Sequence, residues 1–167
     1  MKLFKYIYLL VLLFLIACTQ TENCTQEKNV LMQIGFYKKT MDSTTNIYTK
    51  SALTVDSIWV MGLGTDSFLY NKKTSIKSIN IPLKKTIEQT DYIVRFNNTT
   101  DTISIFHTNN DRYYISLECG CVVAHSIDEI VSTGHFIDSV SIINRDINTT
   151  NAENIQIYQM FLIVGSK

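Results

Sequence analysis

The chain has 167 residues, with 15 basic and 15 acidic side chains and a net charge of zero. That balance excludes the basic footprint of a nucleic-acid binder, and no run of like charge exceeds a pair, so there is no polybasic stripe for an anionic membrane. A single proline and 46% hydrophobic residues suit an ordinary buried core rather than a disordered tail.

The N-terminus reads as an export signal over residues 1–17. Lys2 and Lys5 give a positive start, Tyr6 to Ile16 is apolar and uncharged, and Ala17 puts a small residue before Cys18. The apolar run is shorter than the roughly 20 residues that cross a bilayer, which describes a cleaved secretory signal. Leu15-Ile16-Ala17-Cys18 resembles the bacterial lipobox. The resemblance implies alkylation of the Cys18 thiol by diacylglycerol and cleavage on its N-terminal side. Acyl chains on Cys18 then hold the mature protein at a membrane, each buried methylene adding about 0.8 kcal/mol. The competing reading is an uncleaved anchor helix that ends in an ordinary cysteine.

Loss of the signal leaves one domain's length of chain, with 13 basic against 15 acidic residues. Residues 18–29 read as the lipidated cysteine and a polar tether, and residues 30–167 as a single β domain. Ile, Thr and Tyr suit pleated, half-buried surfaces, and the many Asn suit turns. Val30, Met32, Ile34 and Phe36 alternate along a first strand. Leu53 and Val55 lead into Ser57 to Met61, and Gly62 to Ser67 turns the chain. Phe68 to Tyr70 and Ile76 to Ile81 are predicted as short strands around Asn71-Lys72-Lys73, with Pro82 closing the second or standing at an edge.

Tyr92, Val94 and Phe96 alternate up to Asn97-Asn98, and Ile103 and Ile105 alternate up to Asn109-Asn110-Asp111. The longest alternation is Tyr113, Ile115, Leu117, Cys119, Cys121 and Val123. Ser126 to Ile130 reads as one helical turn capped by Ser126 with Glu129 three residues on. Phe136, Val140 and Ile142 follow, then Ile155, Ile157, Phe161 and Ile163. Roughly eight to ten short strands between polar turns predict an all-β sandwich, with a barrel as second choice.

Export would place the remaining thiols in an oxidising compartment. With Cys18 consumed by lipid, Cys24, Cys119 and Cys121 leave one thiol unpaired. Cys119 and Cys121, two apart on one predicted strand, share a face and are poorly placed to bond each other. Cys24–Cys119 is the first expectation and Cys24–Cys121 the second. Such a bond closes a loop of about 95 residues, for which chain entropy gives over ~4 kcal/mol. Alternation also places Cys119, Cys121 and His125 on one face, which is the metal-site alternative. No metal, cofactor or catalytic set is the main expectation.

Other patterns are weaker. Gly62-x-Gly64 lacks the following helix and lysine of a phosphate loop, and reads as a turn needing positive φ. Asp66, Ser67 and Tyr70 can line a small polar pocket beside it. Trp59 and the nine tyrosines stack on sugars if exposed. Asp42-Ser43-Thr44, Asp56-Ser57-Ile58, Asp101-Thr102-Ile103 and Asp138-Ser139-Val140 resemble an O-glycosylation signal of Bacteroidota envelope proteins.

Taken in order, Asp56-Ser57 through Tyr70, Ile81-Pro82-Leu83, Ile115 through Gly120 and Asn154 through Ile157, together with Cys24, resemble a family of Bacteroidota lipoproteins described only as a domain of unknown function. The chain departs from that pattern in lacking a proline soon after Cys24, and in having Cys121 where an apolar residue is expected. The resemblance thus implies that Cys121 is the odd thiol, and it carries no activity. The expected function is a lipid-anchored envelope domain that binds or scaffolds another protein, with a glycan-binding or glycan-processing accessory role as the alternative. Thr19 to Asn23 lacks an acidic cluster resembling a surface-export signal, which points to the periplasmic face of the outer membrane. Three observations separate the readings. A flat apolar patch marks a protein partner, exposed Trp59 and tyrosine rings mark a glycan surface, and convergent His and carboxylate groups mark a catalytic cleft.

Overall fold

The computed structural model describes residues 24–42, 47–150 and 152–163, with backbone alone at 42, 162 and 163. Residues 1–17, Cys18 and the tether as far as Asn23 lie outside them. Every regular element among the described residues is a strand: β1 (Met32–Asp42), β2 (Tyr48–Ala52), β3 (Val55–Gly62), β4 (Phe68–Ile76), β5 (Ser78–Ile81), β6 (Gln89–Phe96), β7 (Thr99–Ser116), β8 (Gly120–Ser132), β9 (Ser139–Ile142), β10 (Asp146–Ile147) and β11 (Glu153–Ile163).

They form two sheets. One runs β2-β1-β11-β9, with β5 also on β1; the other runs β10-β8-β7-β6-β3-β4. Neither closes into a barrel, so the sandwich stands. Residues 32–35 of β1 pair with β5 and residues 37–41 with β2, so these two strands share one edge. The other edge of β1 pairs in parallel with β11. Asn154 fastens that long-range pair. Its Oδ1 accepts the Gln33 N–H at 3.0 Å, and its Nδ2 donates to the Asn144 and Asp146 carbonyls at 3.2 and 3.0 Å.

The core lies between the sheets and follows the alternation. Met32, Ile34 and Phe36 enter it from β1, Ile58 and Val60 from β3, and Tyr92, Val94 and Phe96 from β6. Ile103 and Ile105 enter from β7, and Ile155 and Ile157 from β11. Phe36 meets Phe96 edge-on at 5.5 Å, and Phe96 stacks on Phe136 at 4.2 Å. Full burial of each such side chain contributes about 1.5–3 kcal/mol.

The turn signals hold at some places and fail at others. Gly62 to Ser67 does reverse the chain, with Gly64 at φ +83°. Asn71-Lys72-Lys73 does not separate two strands. It lies inside β4, where the register against β3 shifts and Lys72 and Ser75 take positive φ. Asn109-Asn110-Asp111 likewise lies inside the 18-residue β7. There the Asn110 side chain accepts the Arg112 N–H at 3.1 Å, and the register against β8 shifts between Asn110 and Tyr113. In both places the local turn preference is absorbed as a bulge, because continued pairing with a neighbour satisfies more backbone groups than a reversal would. Ser126 to Ile130 is strand, not a helical turn, since β7 and β10 supply its ladder partners.

The long alternation from Tyr113 to Val123 also breaks. Leu117 to Cys119 is the turn of the β7–β8 hairpin, so Cys119 and Cys121 do not share a strand. Cys119 is bonded to Cys24, with Cα atoms 4.8 Å apart and 95 residues of separation. The first expected pairing is therefore the observed one, although the shared strand face that favoured it does not exist. Cys121 is free and exposed.

Candidate binding site

The residues named from sequence do not assemble into one site. Trp59 projects from β3, half-buried, with the guanidinium of Arg95 across the ladder at 3.7 Å over its ring. It lines a groove of about 250 Å³ with Met61, Phe68, Ile93, Arg95 and Thr100, and no tyrosine joins it there. Tyr70 is engaged structurally. Its hydroxyl accepts the Asn80 N–H at 2.9 Å and donates to the Asn80 carbonyl at 3.1 Å, tying β4 to β5 and so one sheet to the other. Ser67 lines a second groove with Leu63, Leu69 and Tyr92, while Asp66 is exposed on the turn and lines neither groove. Asp66, Ser67 and Tyr70 thus share the wall of neither groove. The sulfur of Cys119 is spent in the disulfide, so Cys119, Cys121 and His125 do not offer a metal three ligands. Among the described residues no group of three or more His, Cys, Asp or Glu is placed to hold one.

A different set converges where β7, β8 and β10 meet. Asn109 pairs with His125 across the β7–β8 ladder, and His125 pairs with Ile147 on its other side. His107, two residues before Asn109, is fully buried. Asn109 Nδ2 donates to the Lys85 and Ile87 carbonyls at 3.2 and 3.1 Å, which fixes Oδ1 as the atom facing the rings. That oxygen can only accept, so both histidines donate to it through Nδ1–H, His107 at 3.0 Å and His125 at 2.7 Å. The tautomers follow, and each Nε2 carries a lone pair. His107 Nε2 uses its lone pair on the Thr90 hydroxyl at 2.9 Å, and Thr90 in turn accepts the Lys84 N–H.

His125 Nε2 has no such partner among the described residues. Yet no fully buried side-chain nitrogen or oxygen among them is left without one. Nε2 must therefore reach accessible surface, and the surface His125 lines is a cavity of about 270 Å³. Thr108, Asn110 and Tyr113 of β7, Ser126 of β8, Asp146 of β10 and Asn148 complete most of its wall. Burial pushes the His125 pKa down to about 4, with help from the neighbouring His107 and Lys85. Burial also lowers that of His107, against the opposing Asn109 hydrogen bond and the Asp128 and Glu88 charges. At neutral pH the cavity thus presents an uncharged imidazole acceptor.

Its neighbours alternate in sense. The Asp146 carboxylate, exposed at the wall, is a second acceptor. Asn110 and Asn148 use their oxygens locally, on Arg112 N–H and on Thr150, which leaves their amide N–H groups as donors. From sequence, His125 enters only in the metal alternative, with His107 a distant possible fourth ligand of it, and the shared Asn109 acceptor and the cavity are missed. The spacing of His107 and Asn109 on one strand face is a visible signal. Their meeting with His125 depends on register.

Among the glycosylation-like patterns, Asp101-Thr102 has a structural reason of its own. The Asp101 carboxylate accepts the Thr133 hydroxyl and the N–H groups of His135, Phe136 and Ile137 at 2.6–3.0 Å. This holds the loop that carries Phe136 and Ile137 into the core.

No curated protein and no solved structure gave a significant match to the chain. Residues 57–159 match the family of unknown function DUF6452, a span that takes in most of β3, all of β4 to β10, most of β11 and the whole His125 cavity. That span exceeds half of the chain, and the protein belongs to this family.

Proposed function

We propose that the chain is an exported lipoprotein of a Bacteroidota cell envelope, anchored through acyl chains on Cys18 at the periplasmic face of the outer membrane, and that it binds a hydroxyl-rich ligand, such as a sugar unit of a glycan, in the His125 cavity. The Cys24–Cys119 disulfide supports export, because such bonds persist in oxidising compartments. The binding reading is carried by the open lone pair of His125 Nε2. It stands beside the Asp146 carboxylate and the Asn110 and Asn148 amides, with the Tyr113 side chain alongside. Each sugar hydroxyl both donates and accepts, and this wall offers both senses.

A His and a carboxylate do share this cavity, the feature that would mark a catalytic cleft. Two properties favour binding over catalysis. A general base works best with a pKa near the operating pH, and that of His125 is about 4. Its orienting partner is the neutral amide of Asn109, not a carboxylate.

The test is a panel of envelope oligosaccharides titrated against imidazole nitrogen NMR. Binding moves the His125 Nε2 resonance, and His125→Phe removes the binding while the fold survives. No shift with any sugar sinks the ligand class. Separately, Cys18→Ala is expected to abolish fatty-acid labelling and leave unprocessed precursor, and normal labelling of that variant ends the lipoprotein reading.

A further inference from the structure

Leu117 is 88% exposed, more than any other large hydrophobic side chain among the described residues, and it occupies the tip of the β7–β8 hairpin. Tyr114, on the same hairpin opposite Cys121, is 58% exposed. An isolated surface leucine needs no explanation. This one stands two residues from Cys119, and Cys119 is bonded to Cys24. Cys24 in turn follows Cys18 by six residues. Six residues of chain span at most roughly 22 Å, and the bridged Cα atoms add 4.8 Å. Covalent geometry alone thus keeps the hairpin tip within a short reach of residue 18, whatever path the intervening chain takes.

The far end of the same ribbon has no such tie. The turn at Asn97-Asn98 enters β7 at Thr99, and the 18 residues of β7 separate it from the tip. At about 3.3 Å per residue that is on the order of 50–60 Å. The molecule therefore has a tethered end, which displays a leucine and a tyrosine, and a distant end at an Asn-Asn turn.

We infer that the tip of the β7–β8 hairpin, through Leu117 and Tyr114, rests in the interfacial layer of the lipid bilayer that carries the Cys18 anchor. This rests on the lipoprotein reading of Cys18. The chemistry fits an interface rather than deep insertion. Tyrosine rings settle at the headgroup level, and an acidic residue, Glu118, follows Leu117 in the turn and is costly to carry into hydrocarbon. The contact would give the domain a fixed stance. His125 lies six residues along β8 from Cys119, so the cavity would stand within roughly 20 Å of the headgroups.

The experiment uses the acylated full chain in vesicles of phosphatidylethanolamine and phosphatidylglycerol, with and without brominated acyl chains. Trp59, the only native tryptophan, is replaced by Phe. A reporter tryptophan is then placed by Leu117→Trp or, at the far turn, by Asn98→Trp. Both positions are exposed, so neither variant disturbs the core. The Leu117→Trp emission is expected to fall about twofold on bromination, as for a ring at the acyl boundary, while that of Asn98→Trp stays unchanged. Co-flotation with the vesicles is read on the same samples. A chain that floats while Leu117→Trp stays bright overturns the hairpin contact alone. A chain that does not float overturns the anchor and the contact with it. Equal quenching of both reporters overturns the proposed stance.

Discussion

Asp101 and His125 are both nearly inaccessible polar groups on the β7–β8 ribbon, 1% and 4% exposed. Asp101 is closed: a hydroxyl and three backbone N–H groups converge on its carboxylate. His125 is half closed, with Nδ1 held by Asn109 and Nε2 left open to a cavity. Burying a polar atom without a partner costs about 1–3 kcal/mol; Asp101 avoids that cost through its donors, and His125 Nε2 avoids it through its opening to the cavity. The difference separates a device that secures a loop from the group on which the proposed ligand binding rests. The same contrast disposes of Tyr70, a sequence candidate for binding whose hydroxyl is fully engaged by Asn80.

The largest test of this contrast is Asp101→Ala. It strands the donors of the 133–137 loop and loosens Phe136 from its stack on Phe96. A loss of about 3 kcal/mol is expected in equilibrium urea unfolding, as for buried donors left without an acceptor. A loss below ~1 kcal/mol would show that water replaces the carboxylate and that the cap is not what holds the loop.

Acid comes next, and it should act on the two clusters in different windows. The folded pKa of His125, about 4, lies below its unfolded value of 6.5. Its neutral form is what the fold accepts, so the contribution is complete above pH 6.5 and is lost as pH falls towards about 4. The difference is worth roughly 3 kcal/mol, with His107 adding in the same direction. For Asp101, burial raises the pKa, but the donors from Thr133, His135, Phe136 and Ile137 together outweigh it and leave a net lowering. Its contribution is present above the unfolded value of 3.8 and is lost only below it. Unfolding followed from pH 7 downwards should therefore show two steps, and His125→Phe should shrink only the upper one. A single step that His125→Phe leaves unchanged would break the assignment.

Smaller again is Asn109→Ala, which takes the shared acceptor from two imidazoles. A cost of about 2 kcal/mol is expected, together with changed imidazole nitrogen shifts for His107 and His125 alike. Movement of one ring alone would mean that the amide is not shared. Smallest is His125→Phe, expected to alter stability at neutral pH by about 1 kcal/mol or less, since it removes one hydrogen bond and fills the same space with apolar surface. The sharp outcome there is loss of binding without loss of fold.

Much of this arrangement is legible in the amino-acid pattern. Period-two alternation locates core residues of β1, β6 and β11, and Gly64 marks a reversal that does need positive φ. Where the pattern misleads, it does so for one reason. Asn71-Lys72-Lys73 and Asn109-Asn110-Asp111 carry real turn chemistry, but the outcome, turn or bulge, depends on whether a neighbouring strand continues to pair. Leu117 extends an apolar alternation and hides a true turn behind it.

By itself the chain pointed to an all-β sandwich and to many of its inward faces, and it put Cys24–Cys119 first among the thiol pairings. Those depend on local pattern and arithmetic. Only the tertiary structure decided that β1 pairs in parallel with β11, that Asp101 is a loop clamp, and that His107 and Asn109 meet His125 beside an open cavity. Each of these depends on strand register between distant segments. A shift of a single residue turns every side chain to the other face, and no local pattern in the chain sets that register.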